Sequence, residues 1–184
     1  MKIEDGTGSQ AQAGVTSKNK LQTRSVSVSA LHEASLNGDA YSWNAVSADV
    51  AAAATALLVR NDSDTRHLVI EKVYVYSDVA TAVDVHFTNG AVFTAAGTAV
   101  TGVNLNRGVL KVADATSFAN ETGNTQGNIF LTLHTSELTT SQEAVEYDFN
   151  GAVVLGRNGA IGLDLVADSA AFECTIIGYF VDMQ

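Results

Sequence analysis

No proline occurs anywhere in the 184 residues of this chain. Average usage would place about 5% there, so nearly every backbone N–H stays free to donate to a β-ladder. Cysteine is almost as scarce, with Cys174 alone, which excludes an internal disulfide. It lies in the apolar run AFECTIIGYF, two residues from Phe172 and Ile176. That setting predicts a small buried hydrophobe rather than a reactive thiol. No stretch reaches the ~20 apolar residues that a membrane-spanning helix requires. The opening residues, Met1 to Gly8, lack the apolar segment of a secretion signal, so a protein made and kept in a cytosol is expected.

What is present points to one globular unit. Hydrophobic residues make up 46% and charged ones 16%, far from a disordered composition. The charge is unevenly placed. Residues 1–24 hold Lys2, Lys18, Lys20 and Arg24 against Glu4 and Asp5, while the remainder holds six basic residues against eighteen acidic ones. An acidic body repels nucleic acid and anionic membrane alike. The polar, faintly basic head cannot build a core of its own. The expected organisation is therefore an extended N-terminal arm over 1–24 and a β-domain over 25–184.

The period of the apolar residues predicts strands. SVSVSAL (25–31) alternates, and Asn37-Gly38-Asp39 marks a turn before AYSWNAV (40–46) alternates again. Over SADVAAAATA (47–56) a short helical turn competes with strand. HLVIEKVYVYSD (67–78) reads as a long strand whose apolar residues change face near Glu71-Lys72, the sign of a bulge. AVDVHFTNG (82–90) ends at Asn89-Gly90, a hairpin dipeptide. After AVF (91–93), short strands are expected near 99–105 and 109–112. Residues 113–127, without periodicity, read as a long surface loop. Strands resume at 128–134, 144–149 and 151–155, the last two split at Asn150-Gly151. The chain closes with AIGLDLVAD (160–168) and AFECTIIGYFVD (171–182) as a hairpin turning at Asp168-Ser169-Ala170. Nine or ten short strands without intervening amphipathic helices predict an all-β, jelly-roll-like β-sandwich.

Candidate chemistry is thin. His32, His67, His86 and His134 show no ligand spacing, and no metal or cofactor is expected. Asp62 and Asp64 flank a loop that lacks the glycine and glutamate of an EF-hand. Asp164 and Asp168 read as the polar face and turn of the last hairpin. No G-x-S-x-G elbow is present. The pairs Gly6-Gly8 and Gly159-Gly162 open no helix that would cradle a phosphate, and Glu143 with Glu146 gives no reason for perturbed acidity. The expectation is no catalytic residue and no enzyme. Trp43 and Tyr41 read as core, with a sugar-binding shelf as the competing use.

The head DGTGSQAQAGVTSKNKLQTRSVS (5–27) resembles an N-terminal stretch of tailed-bacteriophage structural proteins. The shared form is DGTG, then V-[DT]-S-x-N-[RK]-L-x-x-[RH], here Asp5 to Gly8, Val15 to Leu21, and Arg24. Lys20 stands where arginine is usual. HEASLNGDAYSWN (32–44), LLVRNDSDTRHLVIEKVYV (57–75) and the stretch 152–180 are similar to the β-sandwich that follows such heads. The resemblance implies a non-enzymatic virion protein, a capsid decoration or cement protein on the head surface, made in the host cytoplasm. Its implied partners are the major capsid protein or neighbouring virion subunits, in a homo-oligomer with a trimer favoured. The competing reading is a carbohydrate- or receptor-binding module of a phage fibre. On the decoration reading the arm lies across a neighbour. Lys18, Lys20 and Arg24 then face acidic surface, while Val15 and Leu21 enter apolar pockets or a sheet edge.

Overall fold

The computed structural model describes residues 14–15, 21–22, 28–47, 55–89, 97–122, 126–135, 144–167 and 171–183. Its elements run in order β1 (Gly14–Val15), β2 (Leu21–Gln22), α1 (Ala30–Asn37), β3 (Ala40–Ser47), β4 (Thr55–Asn61), β5 (Arg66–Ser77) and β6 (Ala82–Asn89). Then follow β7 (Thr98–Ala99), β8 (Val103–Asn104), β9 (Ala115–Glu121), β10 (Asn128–His134), β11 (Val145–Leu155), β12 (Gly159–Leu165) and β13 (Phe172–Asp182).

Alternating apolar residues on long proline-free strands need a second layer to cover one face, and two antiparallel sheets supply it. One has the order β10-β6-β12-β4-β9-β7, the other β11-β5-β13-β3-β8. A shared apolar core joins them. Tyr41, Trp43, Leu68, Ile70, Val73, Phe172, Cys174 and Ile176 from one sheet meet Leu57, Val59, Val83, Val85, Ile161, Leu163 and Leu165 from the other. The all-β sandwich expected from the sequence is the architecture observed. The terminal strand is central in its sheet, as its unbroken apolar character predicts, and Phe172, Cys174 and Ile176 are buried.

The expected bulge lies where the apolar parity changes. Along β5 the β13 ladder pairs Ile177 with Lys72 but Gly178 with Ile70, so Glu71 is the extra residue. This switch lets Leu68 and Ile70, and then Val73 and Val75, all face the core. On the other side of β5 the two predicted strands 144–149 and 151–155 form a single strand, β11, interrupted opposite Glu71. Asn150 and Gly151 there hold φ of 51° and 73°, left-handed backbone that asparagine and glycine tolerate.

Four expectations fail. Residues 30–31, assigned to a strand, open helix α1. Ser29 caps it by accepting from the His32 N–H at 3.2 Å. Gly38 (φ 74°) closes it, with Gly38 N–H to Ser35 O at 3.0 Å and Asp39 N–H to Ala34 O at 2.8 Å, a Schellman pair. The turn at Asn37-Gly38-Asp39 is therefore the helix end. Leu31 and Ala34 pack on Val69 and Tyr179, covering one end of the five-stranded sheet. The surface loop assigned to 113–127 instead contains β9, which pairs with β4 from Asn61↔Ala115 to Thr55↔Glu121. Polar residues mask its period, because only Ser117, Ala119 and Glu121 are buried. The closing hairpin does not exist. β12 pairs with β4 and β6, β13 with β3 and β5, so the chain crosses between sheets there. Residues 109–112 form no strand. Expectations for 25–27, 48–54, 90–96 and Asp168-Ser169-Ala170 lie outside the described residues.

Candidate functional site

Of the five partner-binding residues expected in the arm, Lys18, Lys20 and Arg24 lie outside the described residues. Val15 and Leu21 lie opposite each other in the short β1–β2 ladder.

The most elaborate polar arrangement is on the outer face of the six-stranded sheet. In β6, Val83, Val85 and Phe87 point to the core, which turns Asp84, His86 and Thr88 outward. His86 is nonetheless 0% exposed. Its ring lies over Gly162 of β12, its ladder partner. A Cβ there would sit 2.7 Å from Cε1 and closer still to Nε2, so only glycine leaves space for the imidazole. Asp164, also buried, holds Nε2 at 3.1 Å. The Gly127 N–H donates to Nδ1 at 3.1 Å, and the Thr88 hydroxyl lies 3.2 Å from the same nitrogen. A backbone N–H can only donate, so Nδ1 is the acceptor and the proton resides on Nε2, directed at Asp164. Next to this chain, Asp84 accepts from the Thr132 hydroxyl at 2.7 Å.

Thr88, His86 and Asp164 thus have the order of hydroxyl, imidazole and carboxyl used by hydrolases. Two features make it structural. Gly127 already occupies the nitrogen that would accept the hydroxyl proton, and the ring has no solvent exposure. The relay binds β6, β12 and the start of β10 into one unit. The sequence placed Asp164 on a solvated polar face; the structure buries it. The signal available was the alternation AVDVHFTN itself, which sets Asp84, His86 and Thr88 on one face.

The other candidates resolve simply. His32 and His134 are exposed, and His67 is half-buried in β5. Among the described residues no group of three or more His, Cys, Asp or Glu is placed to hold a metal ion. Asp62 pairs with Arg60 at 2.6 Å and accepts from the Thr116 hydroxyl, tying β4 to β9. Asp64 pairs with Arg157 at 2.7 Å. Glu146 and Asp148 flank Lys72 at 2.7 and 3.2 Å. The Asn150 N–H and then Lys72 hold the Asp148 carboxyl below the usual range, and its two carboxylate partners push Lys72 up. Burial pushes the Cys174 thiol up, in keeping with an inert core residue. Tyr41 and Trp43 are both 0% exposed, so the shelf weighed for them does not exist.

Among the described residues the accessible feature is an aromatic seam where β10 and β11 lie side by side across the sandwich. β10 and β11 are the edge strands of their sheets on that side. Phe130 is the extra residue of a bulge against β6, which turns it onto Phe87 (ring centroids 4.0 Å, 11°) and towards Phe149 across the gap (5.9 Å). Tyr147 extends the row, 5.0 Å from Phe149. Phe130 and Tyr147 remain exposed, as do Ile129 and Val154. The opposite edges carry the two-residue strands β7 and β8. β10 carries no lysine, proline or carboxylate, the usual guards of an open edge. No protein-family model, no curated protein and no solved structure matches this chain.

Proposed function

We propose that this protein is a non-enzymatic structural protein of a tailed-phage virion, a decoration or cement protein that binds and stabilises the assembled head. The observation that carries the reading is the unguarded edge strand β10 with Ile129 and Phe130 exposed beside Tyr147 of β11. An apolar edge of that kind is a contact surface or an aggregation hazard. In a soluble acidic protein a contact surface is the consistent choice. The resemblance of the head motif from Asp5 to Arg24 to virion proteins supports this setting. We also read the order β3-β13-β5-β11 facing β4-β12-β6-β10 as the two-sheet, eight-strand order of a jelly roll.

The seam joins copies of this chain into a homo-oligomer, a trimer in the simplest case. The basic arm lies over an acidic neighbour, with Val15 and Leu21 as apolar anchors and Lys18, Lys20 and Arg24 as charge partners. Burial of each large side chain contributes about 1.5–3 kcal/mol, offset in part by ordering the arm. Contacts repeated by symmetry then act through avidity and mass action.

Co-sedimentation with purified heads tests this. The full chain should pellet with heads and stay in solution without them. The chain lacking residues 1–24 should remain folded and bind more weakly at matched salt. Equal retention of both forms would remove the arm from the account.

A further inference from the structure

The start of β10 is held by a group that can change its charge. Gln126 and Asn128 to Phe130 are exposed along the edge of the six-stranded sheet. Asn128 and Ile129 pair with Phe87 and His86, and the bulge at Phe130 then separates this short stretch from the rest of the strand. Two side-chain contacts anchor it, both on β6. The Gly127 N–H donates to His86 Nδ1 at 3.1 Å, and Gln126 Nε2 reaches Asp84 at 3.4 Å. The second contact is long and exposed, so the imidazole nitrogen is the main tie. Glycine is required for it, because a Cβ on Gly127 would collide with the Phe87 carbonyl oxygen. An edge stretch with few buried contacts opens before the rest of its domain does.

The tie holds only while the ring is neutral. A backbone N–H can only donate, and a protonated imidazole donates from both nitrogens. A hydrogen on Nδ1 would therefore face the Gly127 N–H, donor against donor. The Thr88 hydroxyl lies 3.2 Å from the same nitrogen, and a hydroxyl accepts as readily as it donates. Protonated His86 thus has an acceptor waiting, and the bond it loses is the one to β10. The charges around the ring are negative. Asp164 holds Nε2 at 3.1 Å, and Asp84 stands directly opposite Asp164 in the ladder, two like charges that a neighbouring cation relieves. Among the described residues β10 presents only the neutral Gln126 and Thr132 to this group. Arg60 of β4, beyond β12 in the row of Thr88, is paired with Asp62.

We infer that His86 is an acid-operated latch on the edge strand β10. Neutral, it holds Gly127 and keeps the start of β10 on β6. Taking one proton from solvent at Nδ1, it turns that hydrogen to Thr88, keeps Asp164 on Nε2 and lets residues 126–129 lift from the sheet. Ile129 is the ladder partner of His86, and Phe130 stacks on the adjoining Phe87. Acid therefore loosens the part of the edge that carries the exposed apolar side chains of the seam. The latch is a property of the single chain and is independent of what the seam binds.

The test is nuclear magnetic resonance of the isotope-labelled full chain, titrated from about pH 7.5 to about pH 5. Ring nitrogen signals report the charge of His86. Amide exchange protection, corrected for the intrinsic rate at each pH, reports the latch. At the upper end the ring should carry its hydrogen on Nε2. On acidification the Gly127 amide should lose protection by about tenfold or more, in step with the imidazolium signal, while Ile176 in the core stays protected. Thr88→Val removes the waiting acceptor and keeps the side-chain shape. In that variant both events should move together to an about tenfold higher proton concentration. The inference is overturned if the ring stays neutral across the range, or if it becomes charged while Gly127 keeps its protection. Loss of protection at Ile176 together with Gly127 would overturn it too, since the opening would then be global. So would a Thr88→Val chain that titrates like the parent.

Discussion

Gly162→Ala should be far more damaging than a buried methyl group usually is. Gly162 has no positive φ, so alanine suits the backbone and would, with space, stabilise by about 0.4–1 kcal/mol through the unfolded state. The space is taken by His86, whose ring would lie 2.7 Å from the new carbon at Cε1. The ring must leave. It then breaks the 3.1 Å bond to Asp164 and the 3.1 Å bond from Gly127 N–H. Asp164 is 3% exposed, and a buried charged acceptor without its partner costs about 1.5–3 kcal/mol, the Gly127 bond about 1 more. After the backbone gain, a net loss of about 2–3 kcal/mol remains. For a domain of this size that lowers Tm by roughly 4–12 °C. His86→Ala should cost a similar amount, since it removes the same bonds. The double variant is the decisive arm. With no ring to collide with, the second substitution adds little, and the two effects should fall short of additivity by about 2 kcal/mol. Urea unfolding of the four proteins measures all three quantities. Additive losses, or a loss under about 1 kcal/mol for Gly162→Ala, would refute the reasoning.

Other outcomes follow from the same structure. Cys174 should resist thiol reagents in the native protein and react on unfolding, as its buried, raised thiol requires. Asp148→Asn should lower Tm at neutral pH and leave it unchanged near pH 2. A carboxyl held below its unfolded value stabilises above that value and loses the contribution as pH falls through the folded one. Glu71 has the opposite sign, since burial and then Asp148 raise it. Glu71→Gln should therefore raise Tm slightly at pH 7 and not below about pH 4. Gly38→Ala should cost about 1–2 kcal/mol by thermal melting, because φ is 74° and the methyl would meet Val109 at 2.6 Å. Phe130→Lys should leave the melting temperature within a few degrees while converting any oligomer seen by light scattering to monomer.

The legible parts of the fold were those where period and burial agree. β5 announced both its strand and its bulge, because a buried strand that changes parity at Glu71 has few other solutions. The last strand announced its central place for a similar reason. Misreadings arose where local signals compete. Val28 and Ala30 continue the alternation of a strand, yet from Ala30 the Ser29 cap and the Gly38 stop favour a helix, and packing of Ala34 on Tyr179 decides it. β9 hides because its buried positions include Ser117 and Glu121 rather than apolar residues. The final hairpin failed because adjacency in sequence cannot say which of two sheets a strand joins. At the candidate site, alternation placed His86 on an outward face. The pairing of His86 with Gly162, Asp164 and Gly127 is long-range register. Without a fold there was no means of matching β6 to β12 or to β10.

The central claim, a head-decorating virion protein, is tested most directly by electron cryomicroscopy of the intact particle carrying a labelled copy of this chain. The account predicts density at symmetry-repeated positions on the outer surface of the head, with the β10–β11 seam against a neighbouring copy. Absence from the particle, or density confined to tail or fibre, would contradict it.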